Sequence, residues 1–284
     1  MNMRSFKGRC VVVTGAASGL GLALLHAFRN AGAQVVALDH DPQALAALQA
    51  DAALQTGPPW MALPCDVTDL PACRAALAQA SARFGGIDVL VNNAGISHRS
   101  PFADTDVAVL RRVMDVNFFG AVHCTHAALP SLRARRGLIV AVSSVAGFAP
   151  LIGRTGYAAS KHALHGFFDS LRTELAVDGV GVLLVCPSFI ATGIDRAALG
   201  ADGLAAAPPR QTTGGQAAPE AVAQAILAAA RADRSLLLYS ATSRMAWWLS
   251  RLWPARYAAV MARRLQAEIF PPVLAAHNNQ ETTL

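Results

Sequence analysis

The run Cys10-Val11-Val12-Val13-Thr14-Gly15-Ala16-Ala17-Ser18-Gly19-Leu20-Gly21 passes from an apolar stretch into a turn of small residues. A helical pattern over about residues 20–30 follows at once. Gly15 allows the tight turn, Gly19 lets backbone approach a pyrophosphate, and Gly21 permits close helix–strand packing. The opening of the helix leaves amides unpaired and carries partial positive charge, so phosphates are favoured beside Ser18, Gly19 and Leu20. The spacing is a three-residue-gap relative of G-x-G-x-x-G, whose confirming context is a strand before it and a helix after it.

The alternation continues outward from that turn. Residues 34–38 read as a strand, followed by a helix opening at Asp41-Pro42, an N-cap and first-turn pair. Residues 61–65 precede a second such start at Asp69-Leu70-Pro71, and Gly85-Gly86 stops that helix. A strand at 89–91, a long helix over about 106–135, and a strand at 138–142 come next. The helix carrying Tyr157 and Lys161, a strand at 180–186, a helix at 219–232 and a strand at 236–239 complete the body. Apolar strands separated by helices imply a doubly wound, Rossmann-type parallel sheet with helices on both faces. Such sheets bind ligands at the carboxyl ends of their strands. The pattern places this α/β domain at residues 1–240, with a lid over about 188–218 and an amphipathic extension at 241–284.

Bulk properties narrow the function classes. The chain has 284 residues, 54% hydrophobic and 15% charged, which suits one large buried core and not a disordered chain. The net charge is +6, but Arg244, Arg251, Arg256, Arg263 and Arg264 sit together in an acid-free stretch over 243–267. The body is therefore nearly neutral, and a nucleic-acid groove is not indicated. Cys10, Cys65, Cys73, Cys124 and Cys186 form no C-x-x-C pair, so they read as reduced thiols of a cytoplasmic protein and not as a metal site. The apolar run after Arg4, Lys7 and Arg9 stops at Thr14-Gly15, too short for a signal peptide or a membrane span.

Two further features carry chemistry. Tyr157-Ala-Ala-Ser-Lys161 sets a phenol and an ammonium one helical turn apart, on one face. A neighbouring cation favours the phenolate, so Lys161 is expected to bring Tyr157 below its ordinary value, near 10, and make it a usable base. Asp39 ends the second strand, where a carboxylate can accept hydrogen bonds from an adenosine ribose and would repel a 2′-phosphate. That favours NAD, with NADP as the alternative. Asp41 already suits the capping role that Asp39 would otherwise fill.

These pieces together resemble the short-chain dehydrogenase/reductase (SDR) family over roughly residues 6–240. The matching parts are the turn at 14–21, Asp66-Val67, Asn92-Asn93-Ala94-Gly95, Asn117, Ser144, Tyr157, Lys161 and the segment from Pro187 to Thr192. The resemblance implies that Tyr157 is the acid/base, that Lys161 lowers its proton affinity and binds the nicotinamide ribose, and that Ser144 hydrogen-bonds the substrate oxygen. Asn117 would help hold a water linking Lys161 to solvent. Asp66 and Val67 would contact adenine; Asn92, Asn93, Ala94 and Gly95 would shape the exit of the fourth strand; and Pro187, Ile190 and Thr192 would border the nicotinamide. Ser188 stands where the family commonly has glycine, which bears on the local loop shape.

The expected chemistry is hydride transfer between NAD(H) and a hydrophobic secondary alcohol or ketone, of steroid, retinoid or lipid type. Phe148, Leu151, Ile152, Phe189, Ile194, Leu199 and Leu204 suggest an apolar pocket. An NADP-dependent 3-oxoacyl-type reductase and a non-catalytic, membrane-attached nucleotide-binding scaffold are the alternatives. In the tail, Met245, Trp248, Leu249 and Leu252 form one helical stripe, and Tyr257, Val260, Met261 and Leu265 a second after Pro254. An apolar face among arginines fits peripheral contact with the inner face of a membrane through residues 243–268; packing on the chain's own body or on a partner subunit are the other readings. The resemblance also implies a homodimer or homotetramer through the helices near 106–135 and 155–178, with Phe118, Phe119, Leu171 and Leu175 at the contact.

Overall fold

The structure, a computed structural model, describes residues 3–51, 54–206 and 215–269. Seven strands, β1 (Cys10–Thr14), β2 (Gln34–Asp39), β3 (Trp60–Pro64), β4 (Val89–Asn92), β5 (Leu138–Val142), β6 (Gly181–Cys186) and β7 (Leu236–Leu238), form one sheet in the order β3-β2-β1-β4-β5-β6-β7. Every pairing is parallel. Parallel neighbours need crossovers, and helices supply them on both faces.

Side-chain alternation explains the apolar strands. Val11 and Val13 point to one face, where they meet Leu24 and Phe28 of α1 (Gly19–Asn30) and Ile226 of α7 (Pro219–Arg231). Cys10 and Val12 point to the other, into a core with Leu77 of α3 (Leu70–Phe84), Leu132 of α5 (Gly120–Arg135) and Phe168 of α6 (Thr155–Leu175). With both faces covered, a strand has no polar side to show. The expected helix starts are present. Asp41 accepts from the amides of Gln43 and Ala44 at the head of α2 (Pro42–Gln49), Asp69 accepts from Ala72, and Gly85 closes α3 at φ 72°.

One expected element differs. The helix anticipated over 106–135 is divided into α4 (Val107–Met114) and α5 by a π turn, Asp115–Phe119. The extra residue in that turn re-aims side chains locally, and Asn117 lies within it. Leu175 is in the core at 1% exposed and Phe118 packs on Phe167, so of the side chains expected at a subunit contact Phe119 is the most accessible. Beyond β7 come α8 (Ala241–Leu252) and α9 (Pro254–Ile269). Among the described residues, no helix is long and apolar enough to cross a membrane.

The order of the sheet reverses at β1, whose neighbours β2 and β4 lie on opposite sides of it. Connections leave β1 and β4 in diverging directions there, which opens a crevice beyond their carboxyl ends.

Candidate active site

A cleft of 1730 Å³ occupies that crevice. It exceeds the range of about 300–1,000 Å³ common for a single small ligand, so it has room for a dinucleotide and a second molecule. Except for Asn117, all the catalytic and cofactor-binding residues expected from the sequence line it.

At its dinucleotide end the chain makes room by omission. Gly15 sits at φ 62°, in the left-handed region that favours glycine, and a Cβ there would lie 2.9 Å from Ala94 Cα. At Gly21 a Cβ would stand 1.9 Å from the Gly15 carbonyl oxygen, so no other residue fits without moving the turn. Ser18 occupies the N-cap of α1, yet its hydroxyl makes no capping bond there. Thr14, placed in the turn at 14–21 but assigned no role of its own, ties the two loops together: its Oγ1 accepts from the amides of Asn93 and Ala94, both at 3.0 Å. Asn93 returns the bond through Nδ2 to the carbonyl of Thr14 at 2.9 Å, while Asn92 Nδ2 donates to Thr125 Oγ1. A threonine ending an apolar strand carried no distinguishing signal.

Asp39 has its carboxylate 8% exposed at the end of β2, and Oδ2 accepts from the amide of Ala17 at 3.0 Å. The glycine turn and the acidic group are thus held together. Asp66 accepts from the amide and hydroxyl of Thr68; the amide bond, ahead of the opposing effect of burial, holds its carboxyl below the usual range. Val67 packs on Gly120, where a Cβ would meet its Cγ2 at 2.6 Å. The small turn, the open amides at the head of α1 and the carboxylate at β2 fit a nicotinamide dinucleotide.

The reacting groups converge where β5, α6 and the β4 exit meet. Ser144 follows β5; its Oγ accepts from the amide of Ala146 at 3.1 Å and is hydrogen-bonded to the Tyr157 phenol. Ser143 is turned away, donating to the Lys161 carbonyl at 3.2 Å, so Ser144 is the serine paired with the phenol. Lys161, 4% exposed, donates to the Val142 carbonyl at 2.9 Å and sits 5.7 Å from the centre of the Tyr157 ring. Burial lowers its ammonium to about 8.

The expected effect of Lys161 on Tyr157 is not what the structure shows. Burial raises the phenol above its ordinary value, outweighing the opposing effects of the Ser144 hydrogen bond and Arg154. The ammonium is directed at a backbone carbonyl, and helical spacing alone could not show that. Asn117 lies behind the cleft wall. Its Oδ1 accepts from the amide of Ile96 at 2.8 Å, and its Nδ2 donates to the Ile96 carbonyl and to Ser160 Oγ. It therefore pins the β4 exit to α6, with Gly95 between it and Lys161.

Pro187, Ile190 and Thr192 border the cleft after β6, and Thr192 faces Gly19 across it. Ser188 is not among the residues with positive φ, so a side chain is accepted there without strain. The lid is partly described. Residues 97–99 hydrogen-bond to Leu199 and β-like contacts join 190 to 217, while residues 207–214 lie outside the described residues. Of the apolar pocket expected from the sequence, Leu151, Phe189 and Ile194 line the cleft. Phe148, Ile152, Leu199 and Leu204 do not, and Leu204 is 70% exposed.

The far wall comes from α8 and α9. Met245, Leu249, Trp253, Tyr257, Val260 and Met261 all face the cleft. The stripe expected on α8 therefore splits: Met245 and Leu249 line the cleft, whereas Trp248 and Leu252 are about 60% exposed. What seats α8 on the body is Trp247, a residue outside that stripe. Its ring packs 4.9 Å from Phe148 and 6.2 Å from His165, with Arg251 stacked over it at 3.2 Å.

Comparison with known proteins agrees with this geometry. The family described as short chain dehydrogenase matches residues 9–201. The chain is 39% identical over 272 residues to "Dehydrogenase/reductase SDR family protein 7-like" of Anopheles gambiae, covering 93% of this chain and 86% of that one. It is 38% identical over 276 residues to "Dehydrogenase/reductase SDR family member 7B" of Bos taurus, covering 94% and 85%. Among solved structures, a short-chain dehydrogenase from Streptomyces avermitilis matches with a TM-score of 0.75 at 28% identity, over 91% of this chain and 97% of that one. With its sheet order, its cleft and these relatives in agreement, the chain belongs to the short-chain dehydrogenase/reductase family of NAD(P)-dependent oxidoreductases.

Proposed function

We propose that the protein interconverts a secondary alcohol and a ketone on a bulky apolar body, using NAD(H), with Tyr157 as the acid/base. The supporting observation is that Ser144, Tyr157 and Lys161 lie in one cleft between the glycine turn and an apolar wall. When bound, the nicotinamide supplies or accepts the hydride. Tyr157 passes the accompanying proton to or from the substrate oxygen, and Ser144, already bonded to the phenol, orients that oxygen. A phenol held above its ordinary value is protonated at neutral pH and ready to donate, which suits ketone reduction. Lys161 would hold the nicotinamide ribose, and its own lowered proton affinity lets it share charge near pH 8. Screening hydroxylated lipids, sterols and simple alcohols for NADH formation, and the matching ketones for NADH loss, tests this. No turnover with any of them, despite dinucleotide binding, would favour a non-catalytic scaffold.

Asp39 supports NAD over NADP because its buried carboxylate stands beside the turn that would hold the adenosine ribose. Asp39→Ala should narrow the affinity ratio between the two nucleotides by about tenfold, as loss of one charge-assisted hydrogen bond of about 1.5 kcal/mol implies. Equal affinities in the parent protein would point to the NADP-dependent reading.

Peripheral contact with an anionic membrane is supported by the same C-terminal helices. Trp248, Leu252, Trp253 and Val260 are each at least half exposed among arginines, and the neighbouring apolar side chains line the cleft. A substrate dissolved in the bilayer would meet the cleft mouth directly. Pelleting with anionic liposomes should fall with salt and on deleting residues 243–284; pelleting that ignores both would end this reading. Free, buried thiols throughout suit a cytoplasmic setting. A homodimer or homotetramer through α5 and α6 would bury Phe119, and sedimentation of Phe119→Asp tests it.

A further inference from the structure

Sequence reasoning assigned Arg154 no role, yet its side chain joins three separate parts of the chain at the cleft wall. It occupies the N-cap position of α6, three residues before Tyr157, and makes no capping bond there. Its Nη1 instead donates to Asp195 Oδ1 at 2.8 Å and to Ser97 Oγ at 2.9 Å. Ser97 follows the exit of β4, and Asp195 ends the short turn Gly193–Asp195 after β6. All three residues line the cleft with Ser144 and Tyr157. The two charged side chains are only 12% and 17% exposed, so solvent screens the pair weakly.

The turn that carries Asp195 begins directly after Thr192, whose Cβ and Cγ2 lie 3.2 Å from where a Cβ on Gly19 would stand. Its backbone bonds are local: the amides of Arg196 and Ala197 donate to the Gly193 carbonyl, at 3.0 and 2.8 Å. A Cβ added at Gly193 would meet nothing within 4 Å, so the start of the turn has open space beside it. Further along, the chain is zipped to the β4 exit. Leu199 donates to the Ser97 carbonyl at 2.9 Å, Arg99 to the Leu199 carbonyl at 2.8 Å, and Asp106 to the Ala201 carbonyl at 2.9 Å. The same exit reaches the residue before Arg154, through the Ser100 amide on the Gly153 carbonyl at 3.0 Å. The segment after β6 is thus held by a backbone zipper at Leu199 and Ala201, and by the Asp195 carboxylate near Thr192.

We propose that the Arg154–Asp195 pair is a clamp that closes the segment from Thr192 to Leu199 over a bound nicotinamide dinucleotide, and that both are positioning residues for that ligand. The inference rests on the reading that the dinucleotide lies along the glycine turn with its nicotinamide beside Thr192. A shielded ion pair adds little stability over apolar packing, but parting it leaves two charges without partners. It therefore gives the segment a closed position that is costly to leave. Departure of the dinucleotide requires the wall at Thr192 to give way, and Asp195, three residues on, resists that movement. The clamp acts on how long the ligand stays and not on the hydride step.

Release of NADH, followed by stopped-flow fluorescence with excess NAD as the displacing ligand, tests the clamp. Asp195→Asn and Arg154→Gln should each speed release by about tenfold, within the range of coupling between contacting residues, while association changes little. Arg154→Lys, which keeps the cation, should release NADH at close to the parent rate. Arg154→Gln combined with Asp195→Asn should release it no faster than either single variant, because both remove the same joint. Parent-like release from the single variants, or a combined effect equal to their product, would overturn the proposal. Amide hydrogen exchange of the protein alone gives a second readout. The amides of Arg99, Leu199 and Asp106 should exchange faster in Asp195→Asn, while those of β1 and β5 keep their parent rates. Faster exchange across the sheet as well would mean a general loosening and would count against the clamp. If the parent protein bound neither NADH nor NADPH, the dinucleotide reading would fail, and the exchange rates would decide the clamp by themselves.

Discussion

At Gly21 an added Cβ would collide with a backbone oxygen at 1.9 Å, whereas at Met245, Trp253 and Val260 half or more of the side chain faces solvent. Both regions wall the same cleft. The glycine turn is over-determined: Thr14 Oγ1, Asn93 Nδ2 and Asp39 Oδ2 all bond to its backbone or to the adjoining loop. The C-terminal helices are held chiefly at Trp247, which packs on Phe148 and His165 with Arg251 stacked over it. A site for a ligand of fixed shape gains from rigid backbone, because nothing must be ordered when the ligand arrives. A wall of Met, Leu, Trp and Val can repack around apolar bodies of different outline. The contrast assigns dinucleotide recognition to one end and substrate range to the other.

The largest effect is expected where the two regions meet. Tyr157→Phe should reduce turnover by roughly 10²–10⁴-fold while dinucleotide binding persists, measured by NADH absorbance and by fluorescence titration. Near-parent turnover would remove the phenol from the reaction. Gly21→Ala tests the rigid end: the clash should cost about 3 kcal/mol and weaken dinucleotide affinity, read by thermal unfolding and the same titration. A variant with unchanged Tm would show that the turn has slack.

The held point of the looser end is sensitive to pH. Burial brings His165 from 6.5 to about 4, and its Nε2 lies 3.5 Å from Cys186 Sγ. As pH falls from 6.5 to 4 the unfolded chain takes the proton and the folded one does not. Stability contributed by neutral His165 is therefore present above pH 6.5 and lost progressively down to pH 4, by up to about 3 kcal/mol. His165→Gln should flatten that part of the stability curve in chemical denaturation; an unchanged curve would place the loss elsewhere. The smallest effects separate two adjacent indoles. Trp247→Ala should destabilise by roughly 2 kcal/mol, and Trp248→Ala by less than about 0.5 kcal/mol while reducing liposome binding. Equal destabilisation would mean that α8 is seated differently.

The parts of the fold legible in the sequence were those set by short-range rules. Asp41 and Asp69 before proline-containing first turns mark helices because a side-chain oxygen satisfies amides two or three residues away. Val11 to Val13 reads as a doubly covered strand because no polar side is available. The π turn at 115–119 left no such mark, since Asp-Val-Asn-Phe-Phe continues a helical pattern. On α8, periodicity selected Met245, Trp248, Leu249 and Leu252, but Trp247 packs on Phe148 and His165, 99 and 82 residues earlier in the chain, and helical spacing holds no trace of partners that far away.

What this chain determined by itself is the doubly wound sheet, the glycine turn and the membership of one cleft by Asp39, Ser144, Tyr157 and Lys161, because these follow from local steric and hydrogen-bonding demands repeated in a known order. The aim of the Lys161 ammonium at Val142, the cross-cleft pair of Arg154 with Asp195 and the seat of Trp247 were decided only in three dimensions. Each depends on a side chain choosing among partners far apart in the chain, and distance along a sequence carries no record of that choice.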